Sequence, residues 1–97
     1  MKFSWDANKA KTNESKHGIR FEDAITAFDD PYALRTDDTK HSTQEARQWL
    51  IGETDLPKVV VVIFVERDKA QIYRIIGARP VNRKERTLYE KSKRIPI

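Results

Sequence analysis

Ile72-Tyr73-Arg74-Ile75-Ile76-Gly77-Ala78-Arg79, closed by Pro80-Val81-Asn82, decides how the rest of the chain is read. Its apolar and β-branched residues suit a strand, the proline stops that strand, and charged helix chemistry begins directly afterwards. Two arginines interrupt it. In a regular pleat positions 74 and 79 have opposite parity, so the sequence predicts that the two side chains leave by opposite faces and do not share one phosphate. An unpaired guanidinium is costly to bury, so at least one of them must meet a carboxylate, a phosphate or water.

Upstream, Val59-Val60-Val61-Val62-Ile63-Phe64-Val65 is apolar on both faces, as a central strand is, within a predicted strand from Leu56 to Arg67. Glu66-Arg67-Asp68-Lys69-Ala70 forms the turn to its hairpin partner, the stretch quoted first. Gln44 to Ile51 has a helix-prone composition, yet Arg47, Trp49 and Ile51 alternate with Ala46, Gln48 and Leu50 and Gly52 follows, which reads as a strand. Between Tyr32 and Thr43, Asp37-Asp38 and a polar run read as an exposed loop.

At the amino-terminal side Phe3 and Trp5 alternate with polar residues in a short first strand, and Asp6 caps a helix from Ala7 to Lys16 that His17-Gly18 stops. Phe21, Ala24, Ile25 and Phe28 fall at the i, i+3, i+4, i+7 spacing of a second helix, which Asp29-Asp30-Pro31 ends. Beyond Pro80, Asn82 caps a third helix running to Glu90, with Glu85 at the capping-box position, and the basic tail Lys91 to Ile97 reads as mobile. The order β-α-α-β-β-β-α is α+β: a mostly antiparallel four-stranded sheet with two to three helices against one side.

The 97 residues make one domain, and no apolar run approaches the roughly 20 residues of a membrane helix. The start lacks an apolar segment of signal-peptide length, so the chain reads as cytoplasmic, with no membrane partner. With no cysteine, disulfides, zinc fingers and thiol catalysis are excluded, and His17 and His41 are too isolated for a histidine metal site, so neither metal nor cofactor is expected. The net charge of +4 conceals an asymmetry: Met1 to Asp55 carries eight basic and eleven acidic residues, Leu56 to Ile97 eleven basic and four acidic. Such a basic half attracts nucleic acid or an acidic protein, the alternative being a solvated face without a ligand.

Phe3-Ser4-Trp5-Asp6-Ala7-Asn8-Lys9, Asn13, Lys16-His17-Gly18, Phe21-Glu22-Asp23-Ala24 and Phe28-Asp29-Asp30-Pro31 closely resemble the amino-terminal signature of BrnT toxins. Glu45-Ala46-Arg47, Ile51-Gly52, Arg74 to Arg79, and Glu85-Arg86 with Tyr89 resemble the remainder, from Phe3 to about Tyr89. Position 77 is glycine where the family more often has serine, and the resemblance does not extend over Tyr32 to Thr43 or the tail beyond Glu90. It implies a RelE-like fold and the toxin of a type II toxin-antitoxin system. It further implies an endoribonuclease that inhibits translation, neutralised by a ribbon-helix-helix antitoxin through which the pair reaches operator DNA.

RNA is cleaved without a metal when its 2′-hydroxyl attacks the adjacent phosphorus, which requires a base, stabilised phosphorane oxygens and help for the leaving 5′-oxygen. Guanidinium groups suit the second task, so Arg79 and Arg74 are the candidates for phosphate stabilisation, the alternative being structural pairing with acids. His17 is a candidate acid or base, or simply a cation at a helix end, with Lys16 supporting it. Glu66 and Glu45 are candidate bases and Arg67 and Arg47 candidate RNA contacts, against the plainer reading of surface ion pairs. Arg83, Arg86 and Tyr89 supply a basic helix on which Tyr89 either stacks on a base or anchors the helix to the sheet. A binding module for nucleic acid or antitoxin, without catalysis, is the rival reading.

Overall fold

The computed structural model describes residues 2–40 and 45–94. Its centre is the valine-rich strand, in which alternate residues found two separate cores. Val60, Val62 and Phe64 join Leu50, Tyr73, Ile75 and Ala78 beneath Phe21, Ala24 and Ala27, whereas Val61 joins Ile51 and Tyr89 on the other face.

The strands are β1 (Lys2–Ser4), β2 (Leu34–Asp38), β3 (Arg47–Glu53), β4 (Val59–Arg67) and β5 (Ile72–Pro80). They form one sheet in the order β1-β5-β4-β3-β2, with β1 parallel to β5 and the other three pairings antiparallel. The helices are α1 (Ala7–His17), α2 (Phe21–Ala24), which tightens into a 3₁₀ segment over Ile25–Asp29, and α3 (Arg83–Arg94). The α+β class therefore stands, with five strands in place of four. The added strand, β2, lies in the stretch read as a loop; it is an edge strand of sequence Leu-Arg-Thr-Asp-Asp, whose charged residues carry no β pattern. It is held by side chains as well as by its ladder, since Trp49 Nε1 donates to Asp38 at 2.8 Å and Arg35 Nε donates to Gln48 at 2.5 Å.

The helices also divide between the faces, contrary to the one-sided packing expected. The α2 segment covers the larger core, where Phe28 lies 5.1 Å from Phe64 and 5.0 Å from Phe3. Helix α3 lies on the opposite face and brings Tyr89 against Ile51 and Val61. The segment Lys91 to Arg94, expected to be mobile, continues α3: Ser92 Oγ donates to the Tyr32 carbonyl at 3.0 Å, and Lys93 stands 3.8 Å from Glu53. The expectations for residues 95–97 and for His41 lie outside the described residues.

One irregularity positions the site. In the β4–β5 ladder Ile63 faces Gly77 but Phe64 faces Ile75, leaving Ile76 without an opposite residue. This β-bulge resets the alternation of β5. Arg74 faces Val65 and Arg79 faces Val61, and residues 61 and 65 of β4 share a parity. Arg74 and Arg79 consequently project from the same face, so the expected separation is wrong; parity counting assumes an unbroken pleat.

Candidate nucleic-acid interface

The face bearing both arginines is laid out in rows. One row runs Asp38, Arg47, Val65, Arg74; the next Thr36, Trp49, Ile63, Gly77; the third Leu34, Ile51, Val61, Arg79. Tyr89 of helix α3, with Val81 just ahead of the helix, covers the third row, and Trp49, Arg47 and Arg74 lie beyond it, half-buried.

Arg79 is held from two sides. Its Nη1 and Nη2 each donate to a Glu85 carboxylate oxygen at 2.8 Å, and its guanidinium lies 5.3 Å from the centre of the Trp49 ring. Glu85 also forms the capping box foreseen from the sequence: it accepts from the Asn82 amide at 2.9 Å, while its own amide donates to Asn82 Oδ1 at 2.8 Å. The hydrogen bonds from Arg79, aided by that amide, hold the Glu85 carboxyl below its ordinary range, and Glu85 raises Arg79. The Arg79 side chain nevertheless remains 28% exposed.

The Arg74 side chain has neither hydrogen bond nor ion pair among the described residues. It lines a pocket of about 220 Å³ with Arg47, Arg67, Lys9, Glu45 and the bulged Ile76. The single carboxylate there is already engaged, Glu45 accepting from Arg67 at 2.6 and 3.1 Å. Four cations around one paired carboxylate leave a concave site that favours an anion. Lys9 and Trp49 were not singled out in the sequence as functional. The parity that Trp49 shares with Arg47 on β3 is a signal for the first; nothing local marks Lys9.

Glu66 is not on this face. It lies opposite Tyr73, pairs with Arg35 and accepts from Gln48 at 3.1 Å, and Arg35 packs 5.1 Å from the Phe64 and Tyr73 ring centres. The sheet thus separates Glu66 from Arg74 and Arg79. Tyr89 is 2% exposed and donates to Asp30, so it anchors α3 and offers no ring face to a base. His17 ends α1 and, with Arg86, Lys58 and Glu53, lines a cavity of about 380 Å³ at the Pro80 end of the sheet. Lys16 lies on the rim between the two sites, and Arg83 is exposed in the first turn of α3. Among the described residues no helix is long and apolar enough to cross a membrane.

Fold and face together define a small single-sheet α+β protein with a concave cluster of cations on one face of its sheet. A family model described as "Ribonuclease toxin, BrnT, of type II toxin-antitoxin system" matches residues 5–85, and the chain belongs to that family. The crystal structure of the Brucella abortus ribonuclease toxin BrnT, at 1.1 Å resolution, is similar with a TM-score of 0.65 and 28% sequence identity. That similarity covers 86% of this chain and 99% of the Brucella chain. Among curated proteins none matches. Membership makes this a ribonuclease toxin of a type II system, with RNA as its target and an antitoxin as its partner.

Proposed function

We propose that this protein is a metal-independent endoribonuclease that cleaves cellular RNA by 2′-hydroxyl attack and thereby inhibits translation in the cytoplasm. The observation that carries the reading is the register shift at Ile76, which puts Arg74 and Arg79 on the face that Arg47 and Trp49 of β3 occupy. In the reaction the 2′-oxygen bonds to phosphorus and the bond to the 5′-oxygen breaks, leaving a cyclic phosphate and a 5′-hydroxyl end. Arg79, fixed by Glu85, donates to the developing phosphorane charge, and Arg74, about 13 Å along the strand, holds a phosphate about two nucleotides away. Trp49 gives a base a flat apolar surface. His17 takes the proton-transfer role in preference to Glu66, whose carboxylate is engaged by Arg35 on the opposite face.

An antitoxin of ribbon-helix-helix type neutralises the enzyme by laying an acidic segment over the same cations, and contacts operator DNA on behalf of the pair. The test is digestion of RNA by the purified protein with EDTA, followed by analysis of the fragment ends. Arg79→Lys should keep the fold and lower kcat by about a hundredfold, as loss of one well-placed donor does. RNA left intact with and without Mg²⁺, yet bound with a steep salt dependence, would leave the binding-only module in its place.

A further inference from the structure

Helix α1 runs beside β5 in step with it. Asn13 Oδ1 accepts from the Ala78 amide at 3.0 Å, a donor that the three-residue β1 is too short to reach, and Asn13 Nδ2 donates to the Ile19 carbonyl at 3.0 Å. Around this fixed point Lys9 lies beside Ile76 and His17 beside Pro80. Eight helical residues rise about 12 Å and four strand residues about 13 Å, so the match persists along the edge.

The consequence is a run of adjoining hollows. The Arg74 pocket shares Lys9 and Ile76 with a shallow depression over Thr12 and Lys16, and that depression shares His17 with the cavity of Lys58 and Arg86. The side chains of Lys9, Lys16, Lys58, Arg74 and Arg86 form no hydrogen bond or ion pair among the described residues. The carboxylates along the way, Glu45 and Glu53, already face Arg67 and Lys93.

We infer that these hollows form one continuous groove that carries a single strand of RNA along the β5 edge, from Arg74 under α1 to Lys58 and Arg86. The inference rests on the ribonuclease reading and assigns its substrate class: single-stranded RNA, held by successive phosphates. A strand about 17 Å long fits the span from Arg74 to Pro80. A duplex is too wide for a groove walled by one helix. An acidic peptide helix would need apolar sockets at helical spacing, whereas the α1 wall is Asn8, Lys9, Thr12 and Lys16, with Ile76 as the apolar floor.

The test measures binding of a non-cleavable 2′-O-methyl single strand of ~12 nucleotides across a range of salt concentrations, which keeps it independent of catalysis. The variant Lys9→Gln, Lys16→Gln, Lys58→Gln removes three exposed charges and should flatten the slope of log affinity against log salt by about 2, at about 0.7 per phosphate contact. Lys11→Gln, about 200° round α1 from Lys9, should leave the slope unchanged. An unaltered slope in the triple variant with an unaltered melting temperature overturns the groove. So does loss of antitoxin binding with oligonucleotide binding intact, which would assign the groove to the protein partner. If the wild-type protein cuts no RNA but the slope still flattens, the groove stands and the ribonuclease mechanism falls.

Discussion

Arg79 and Glu85 share two hydrogen bonds of 2.8 Å, and the same Glu85 carboxylate closes the amino-terminal cap of α3. Capping the helix and orienting the arginine are therefore one event. A carboxylate at a cap would be stabilising anywhere; here it also fixes a cation over Trp49, which ties the stability of α3 to the readiness of the face.

Glu85→Gln should lower stability by about 2 kcal/mol, below the roughly 3–5 kcal/mol of a fully buried pair because Arg79 remains 28% exposed. Because the folded-state pKa of Glu85 lies below its ordinary 4.5, the pair contributes above that value and is lost as the pH falls through the depressed one. Urea unfolding of the wild type should weaken as acid is added below about pH 4.5, and Glu85→Gln should flatten that part of the curve. An equally steep acid limb in the variant would mean that the carboxyl is not held this way.

Asp30 and Tyr89 form a second such link. Burial pushes the Asp30 carboxyl up, but the Tyr89 hydroxyl and the Glu53 and Tyr32 amides outweigh it and hold it below its ordinary 3.8. Tyr89 is raised above its ordinary 10.0, by burial first and by Asp30 second. A raised group contributes below its unfolded value and is lost above it, so stability should decline as the pH climbs past 10. Tyr89→Phe should cost about 1–2 kcal/mol near neutrality and lessen that alkaline decline, both read from melting temperatures.

These links show what the sequence could and could not reveal. The Asn82–Glu85 capping box follows from spacing alone, because both partners lie within one turn. The pairing of Asp30 with Tyr89 spans 59 residues and leaves no local trace. Likewise Leu34 to Asp38 forms a strand because β3 offers it an edge and Trp49 a hydrogen bond, while its own residues favour a loop. The arginine-bearing strand was legible as a strand and, by its charge, as a partner of anions, but its bulge was not, since Ile75-Ile76-Gly77 is equally compatible with an unbroken pleat. The face that Arg74 occupies depends on that one extra residue.

Two glycines separate packing from permissiveness. A Cβ added at Gly52 would stand 2.9 Å from the Ala27 carbonyl oxygen and 3.2 Å from Ala33 Cβ, contacts that the backbone cannot easily relieve. Gly52→Ala should destabilise by about 1–3 kcal/mol. At Gly77 the nearest atoms are Asn13 Oδ1 at 3.6 Å and Ile63 Cδ1 at 3.8 Å, ordinary contacts, so Gly77→Ser should change stability by less than about 0.5 kcal/mol. Chemical denaturation of both variants checks the contrast; a severe loss at Gly77 would show that the site between the two arginines is tighter than this.

The bulge itself can be tested by removing a residue. If Ile76 is deleted while Arg79 stays opposite Val61, Gly77 still faces Ile63 and Ile75 still faces Phe64, so the ladder becomes regular and Tyr73, Arg74 and Ile75 keep their partners and faces. Both cores are then retained, so the deletion variant should still unfold cooperatively. Ile76→Ala preserves the residue count and removes only a half-buried side chain, so it should unfold cooperatively at a cost of about 1 kcal/mol. The comparison separates the bulged backbone from the side chain it carries. A deletion variant that lost cooperative melting would mean that Ile76 is not a removable extra residue, and that the shared face of Arg74 and Arg79 has another origin.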